Sequence, residues 1–134
     1  MIYYQDPLVG LSYIGNYQIN VSIIMRIEIA KEYTKTPGPR YISEGPFSGE
    51  DFRNIILCPR IREAIENNEK LIIVLDGTHG YGTSFLEEAF GGLIREDHIP
   101  YEKIVAIIEI ISDEEEYLVD DIMQYLNDAA DASN

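Results

Sequence analysis

The residues best suited to chemistry lie in one stretch, Leu75-Asp-Gly-Thr-His-Gly-Tyr-Gly-Thr-Ser-Phe-Leu-Glu-Glu88. It combines one carboxylate, Asp76, one imidazole, His79, and two adjacent hydroxyls, Thr83 and Ser84. Asp76, His79 and Ser84 are the residue types of a Ser/His/Asp hydrolase set, which needs the histidine within hydrogen-bond reach of the hydroxyl. The plainer reading, a loop histidine in solvent, is preferred, and no catalytic residue is assigned. Three motif matches fail on inspection. Gly77-x-x-x-x-Gly82-Thr-Ser84 has P-loop spacing, but Thr83 stands where the lysine that reaches the phosphates should be. Gly80-Tyr-Gly82 lacks the third glycine of a dinucleotide fingerprint, since Phe85 occupies that place. Ser84 lacks the flanking glycines of a nucleophile elbow. What remains is tandem hydroxyls at a helix start, where free N–H groups and the helix dipole favour an anion. The surface expected to meet a partner or ligand is Asp76, His79, Gly80, Tyr81, Gly82, Phe85, Leu86, Gly91 and Gly92, with Thr83 and Ser84 as phosphorylation candidates.

This loop needs a strand before it and a helix after it. Leu71 to Leu75 is a continuous apolar run, read as a central strand buried on both faces. Ser84 with Glu87 has capping-box spacing and opens a helix whose apolar positions are Leu86, Ala89, Phe90, Leu93 and Ile94. Gly91-Gly92 inside that helix costs about 1–2 kcal/mol against alanine. The expected return is close approach to the sheet or to a partner.

The flanking elements follow from the same rules. Leu11 to Ile19 reads as a strand or hairpin. Val21 to Ile29 reads as a strand, with Ile23, Met25, Ile27 and Ile29 on one face. Thr36-Pro-Gly-Pro-Arg40 is a breaker, and Tyr41-Ile42 a short strand. Ser48 caps a helix carrying Phe52, Ile55, Ile56, Ile61 and Ile65, with a kink or restart at Pro59 and a stop at Asn67-Asn68. Cys58 reads as a small buried apolar residue. Ile104 to Ile111 is taken as a strand. Ser112 and Glu115 form a second capping box before a last helix with Leu118, Ile122, Tyr125 and Leu126 inward. Strands alternating with helices predict one α/β domain, a mixed sheet with parallel neighbours packed by about three helices. Residues 1–20 form an N-terminal extension, 21–127 the domain, and 128–134 a flexible acidic end.

Bulk chemistry narrows the function classes. The 134 residues hold 24 acidic against 10 basic groups, a net charge of −14. Nucleic acid and anionic membrane surfaces both demand clustered Lys and Arg, so neither is an expected partner. Eight acids and no Lys or Arg follow Ser112, a solvated helix face on the plainer reading. A single cysteine excludes an internal disulfide and a multi-cysteine metal cluster. No basic n-region with an apolar h-region opens the sequence, and a cytoplasmic location is expected. No cofactor and no metal is expected. Self-association is an open expectation, since Tyr and Ile are plentiful.

Three motifs carry a resemblance: Thr36-Pro-Gly-Pro-Arg-Tyr41, Glu44-Gly-Pro-Phe-Ser-Gly-Glu-Asp-Phe-Arg53, and Leu75 through Leu93. From about Ile27 to Leu126 the chain resembles a prokaryotic STAS-like family of unknown function, distantly similar to STAS domains of anti-sigma-factor antagonists. In those domains a hydroxyl residue within an Asp-Ser-Ser-Gly-Leu type motif is phosphorylated by a histidine-kinase-like ATPase, which weakens their complex. By order along strand, loop and helix, the resemblance puts Thr83 on the phosphorylated position, Ser84 on the following serine and Leu86 on the leucine. Gly82 replaces the aspartate and Phe85 the glycine. The resemblance implies a STAS-like α/β fold and a non-catalytic regulatory module with a protein partner, a histidine-kinase-like ATPase. The alternative is a small-ligand or nucleotide sensor using the same helix start.

Overall fold

The computed structural model describes residues 3–6, 11–14, 17–20 and 24–134. Three short strands, β1 (Tyr3–Asp6), β2 (Leu11–Ile14) and β3 (Tyr17–Asn20), pair antiparallel in the order β1-β2-β3. The expected hairpin between Leu11 and Ile19 is the β2–β3 pair, with Ile14 opposite Tyr17. A second, parallel sheet joins β4 (Ile24–Glu28), β5 (Lys70–Val74) and β6 (Ile108–Ile111) in chain order. Its register sets Ile27 beside Ile73 and Ile73 beside Ile110. The domain is α/β, with its parallel neighbours in this sheet and its antiparallel pairs in the other.

β5 is central because its run of β-branched and leucine side chains can be covered from both sides. Leu71 and Ile73 are fully buried and Val74 nearly so, while Ile72 is half-buried. β4 keeps Ile27 inward but ends at Glu28; Ile29 begins a single helical turn, α1 (Ile29–Glu32). Val21 to Ile23, read as part of that strand, lie outside the described residues. After the Thr36–Arg40 breaker, the expected strand at Tyr41-Ile42 is instead a 3₁₀ turn, Ile42–Glu44. Glu44 bonds back to the Tyr41 N–H, closing the turn on itself and leaving no extended ladder.

Two long helical runs cover the core. The first is α2 (Gly49–Phe52), a π turn (Arg53–Leu57) and α3 (Cys58–Asn67). Ser48 caps it as expected, its Oγ accepting the Asp51 N–H at 3.0 Å. Proline 59 has no N–H, and the wide turn before it absorbs the break: the Cys58 N–H reaches back to the Arg53 carbonyl. The extra residue rotates the helix, so Phe52 and Leu57 are buried while Ile55, expected inward, is 59% exposed. Asn68 ends the run in the left-handed conformation. The second run is α4 (Thr83–Leu86), a π turn (Glu87–Gly91) and α5 (Gly92–Arg95). Its Phe85, Leu86, Ala89, Phe90 and Leu93 all enter the core.

The stretch read as one strand, Ile104 to Ile111, divides. Its first part belongs to α6 (Tyr101–Ile107), and only Ile108–Ile111 is extended. Pro100 opens that helix, and Ile104 and Ile107, three apart, are the buried pair. The last helix, α7 (Tyr117–Ala132), buries Leu118, Ile122 and Leu126 as expected and half-buries Tyr125. It also buries Ala129 and continues through residues expected to be a flexible end. The second capping box does not form: Ser112 donates to the Glu115 carbonyl at 2.7 Å, shaping a turn ahead of the helix. Among the described residues no helix is long and apolar enough to cross a membrane.

Candidate functional site

The loop after β5 sits at the carboxyl edge of the parallel sheet, where α/β proteins gather ligands. Gly77 and Gly80 take positive φ values of 95° and 121°, which side-chain-bearing residues resist. Asp76 is structural there. Its carboxylate accepts the N–H groups of Asp113 at 3.1 Å and Glu114 at 2.8 Å. The Glu114 carboxylate in turn accepts the Gly77 N–H. These reciprocal bonds clasp the loop to the segment after β6. With both oxygens of Asp76 so engaged, the Asp76–His79–Ser84 set is not assembled by hydrogen bonds. His79 is exposed, and its own N–H is held by the Lys35 carbonyl at 2.8 Å.

Tyr81 pins the middle of the loop. Its hydroxyl donates to the Leu75 carbonyl at 2.8 Å, and burial pushes its pKa well above the ordinary phenol value. Its ring lies 5.8 Å from that of Phe85, which stacks at the same spacing on Phe52. Phe85 and Leu86 are core residues, 0% and 1% exposed, so neither is the contact residue the sequence suggested. Their burial is what seats the helix start against α2.

The expected capping by Ser84 does not occur. The cap position falls two residues earlier, on Gly82, and glycine has no side chain to close it. Thr83 and Ser84 therefore occupy the first two helical positions with exposed side chains. Among the described residues neither hydroxyl has a hydrogen-bond partner. Glu87, assigned to the capping box, turns instead to Arg40 and to Arg95, at 3.1 and 3.2 Å from the latter.

That turn belongs to a charge network the sequence reading missed. Arg53 and Glu88, with side chains 4% and 3% exposed, form a direct ion pair. Arg53 also donates to the Glu88 main-chain carbonyl at 2.7 Å. Its Nε lies 3.0 Å from the Asp97 carboxylate, without hydrogen-bond alignment. Arg95 reaches Glu88 at 3.2 Å, and Arg40 lies 3.6 Å from it. Burial raises the Glu87 carboxyl pKa, but hydrogen bonds from Arg95 and Arg40 outweigh it and hold the group below its ordinary value. The signal was present: each quoted motif carries a charge, Arg40, Arg53 or Glu87-Glu88, and the three motifs converge on it.

The network also explains Gly91-Gly92. A Cβ at Gly92 would strike the Arg53 guanidinium, and one at Gly91 the Glu87 carboxylate. Both glycines are buried by this chain's own ions, so the expected approach to sheet or partner is corrected. Cys58 is buried as expected; burial, with the Asp97 carboxylate beside it, pushes its thiol pKa up and away from reactivity.

A depression of about 460 Å³ opens beside the loop, at the carboxyl ends of β4 and β5. Glu28, Lys31, Lys35, Asp76, Gly77 and Glu114 line most of it. Glu28 is engaged by Lys31 and Arg26 at its rim. Among the described residues no group of acidic, histidine or cysteine side chains is arranged to hold a metal ion.

A family model described as a STAS-like domain of unknown function (DUF4325) matches residues 48–118. The match takes in the Ser48 cap, both π turns and the loop after β5, and leaves the Thr36–Tyr41 motif outside. No curated protein and no solved structure matches the chain significantly. The family model spans more than half of the sequence, and the chain belongs to this family of STAS-like domains.

Proposed function

We propose that the chain is a non-catalytic regulatory module that binds a protein partner and is switched by phosphorylation at Thr83 or Ser84. The observation that carries this reading is the glycine-opened helix, with two exposed hydroxyls in its first turn and N–H groups that have no partner within the helix. A histidine-kinase-like ATPase would transfer the phosphoryl group. The hydroxyl oxygen bonds to the γ-phosphorus of ATP, ADP leaves, and the hydroxyl proton goes to a base on the kinase. A phosphate there is favoured by its own helix, yet adds nearly two negative charges to the surface a partner meets. The test is intact-mass analysis of the chain recovered from its native cell, followed by labelling of the Thr83→Ala/Ser84→Ala variant. Phosphate mapped to either hydroxyl and lost in the variant agrees with this reading. Undiminished labelling removes the site.

The same exposed helix start supports a second reading, a small-ligand or nucleotide sensor. The depression at the strand ends is less suited to an anion, since Glu28, Asp76 and Glu114 outnumber Lys31 and Lys35 there. A thermal-shift screen with nucleotides separates the two readings, since a ligand that binds only the folded chain raises its melting temperature.

A further inference from the structure

Three of the five exposed large apolar side chains among the described residues fall between positions 41 and 47: Tyr41, Ile42 and Phe47. Ile42 is 52% exposed and Phe47 44%. A loop bearing such side chains would ordinarily fold them inward or stay loose. This one is held open. The Gly38 N–H bonds the Phe47 carbonyl at 2.9 Å, and the Gly49 and Glu50 N–H groups bond the carbonyls of Pro39 and Arg40. The Glu50 carboxylate accepts the Ile42 N–H at 2.8 Å. Phe47 itself has φ 57°, a left-handed conformation unfavourable for a bulky residue. Its ring stands edge-on to Tyr33, whose hydroxyl donates to Asp51 at 2.7 Å. Backbone strain spent on displaying an aromatic ring points to use of that ring.

Ile42, Pro46 and Phe47 wall a depression of about 410 Å³, with Ser48 and Asp51 at its base. Among the described residues the one charged residue that lines it is Asp51, and the Glu50 and Glu44 carboxylates hold the Ile42 and Tyr41 N–H groups beside it, whereas Arg40 is turned to Glu87. A second copy of this chain would bring the same acids face to face, at a net charge of −14 each. We propose that this pocket docks a segment of another protein that inserts an apolar side chain flanked by lysine or arginine. The rigid loop lowers the ordering cost of binding, and the acidic rim selects the partner's charge. The proposal does not depend on phosphorylation of Thr83 or Ser84.

The test is selection of a random-peptide phage library on the full immobilised chain, with the selected peptides then measured by isothermal titration. The expected result is enrichment of peptides pairing apolar anchors with Lys or Arg. Their binding should weaken with added salt and fall about tenfold or more in Ile42→Ala. Phe47→Leu, which keeps an apolar side chain, should show a smaller loss, and melting curves of both variants report whether they fold. The Thr83→Ala/Ser84→Ala variant should bind as the parent does, which keeps this test apart from the switch. Failure to enrich, acidic peptides, or binding indifferent to both pocket variants overturns the proposal. So does a concentration-dependent dimer that Ile42→Ala dissociates, which would make a second copy the occupant.

Discussion

Replacing Glu88 with leucine should be among the most damaging single changes in the chain, and the structure says by how much. Arg53 sits with its side chain 4% exposed, and Glu88 is its direct partner. Removing one member of a buried pair leaves the other charged and desolvated, at about 3–5 kcal/mol. Arg53 would keep the main-chain oxygen of residue 88 at 2.7 Å and Asp97 at 3.0 Å, so the lower end applies. A loss of about 3 kcal/mol in a domain of this size lowers the melting temperature by about 10–15 °C. Urea unfolding followed by far-ultraviolet circular dichroism measures it directly. The double variant Arg53→Met/Glu88→Leu, which removes both charges and keeps the volume, should recover to within about 1 kcal/mol of the parent. A Glu88→Leu cost below about 1 kcal/mol would refute the reasoning, because Arg53 would then have water the structure denies it. A double variant no better than the single would show that the rest of the network needs this pair.

Four further outcomes follow from the same geometry. Gly92→Ala gains helix propensity but drives a methyl group into the Arg53 guanidinium, and should destabilise by about 1–3 kcal/mol in thermal melts. Gly82→Ser has open space and φ −75°, supplies the missing cap, and should stabilise by a few tenths of a kcal/mol, about 0.3, by urea titration. Asp76→Ala should cost about 1–2 kcal/mol through loss of the Asp113 and Glu114 bonds, whereas Thr83→Ala and Ser84→Ala should each stay within about 0.5 kcal/mol. The Glu87 carboxyl titrates below its ordinary value of 4.5. Its contribution to stability is therefore present above that pH and is lost as pH falls through the lowered value. Acid titration of Glu87→Gln should show a shallower loss of stability in that range than the parent.

Much of this molecule was readable before its structure, where one residue decides one local fact. Ser48 caps because its hydroxyl reaches an N–H three residues on, and Asn68 stops a helix because it tolerates the left-handed conformation. Leu71 to Val74 is a strand because the run is short and β-branched at Ile72, Ile73 and Val74. Ile104 to Ile111 misled because a continuous apolar run satisfies both periods. The deciding signal was the break at Pro100 followed by an acid, Glu102, in the first turn. Ser84 and Glu87 had the spacing of a capping box, yet Glu87 went to arginines at 40 and 95. Local spacing cannot report a competitor 47 residues away. The candidate loop itself was found, but its members divided by burial: Asp76, Tyr81, Phe85 and Leu86 build the scaffold, and His79, Thr83 and Ser84 remain at the surface.

The two π turns carry a consequence for how the gene can change. Each wide turn amounts to one residue more than a regular helix would hold, and each inserts a phase step of about 100°. Arg53 opens one of them, and Glu87 and Glu88 open the other. Excising a single codon within the Arg53–Leu57 turn would return it to a regular helix and leave Cys58, Ile61 and Ala64 facing the core, whereas an excision within Cys58–Asn67 would swing the residues after it by that angle. A codon deletion can therefore be absorbed at either wide turn, but not in the regular helix on either side of it. The wide turns are the two places where these helical runs can change length by one residue and keep both faces in the core.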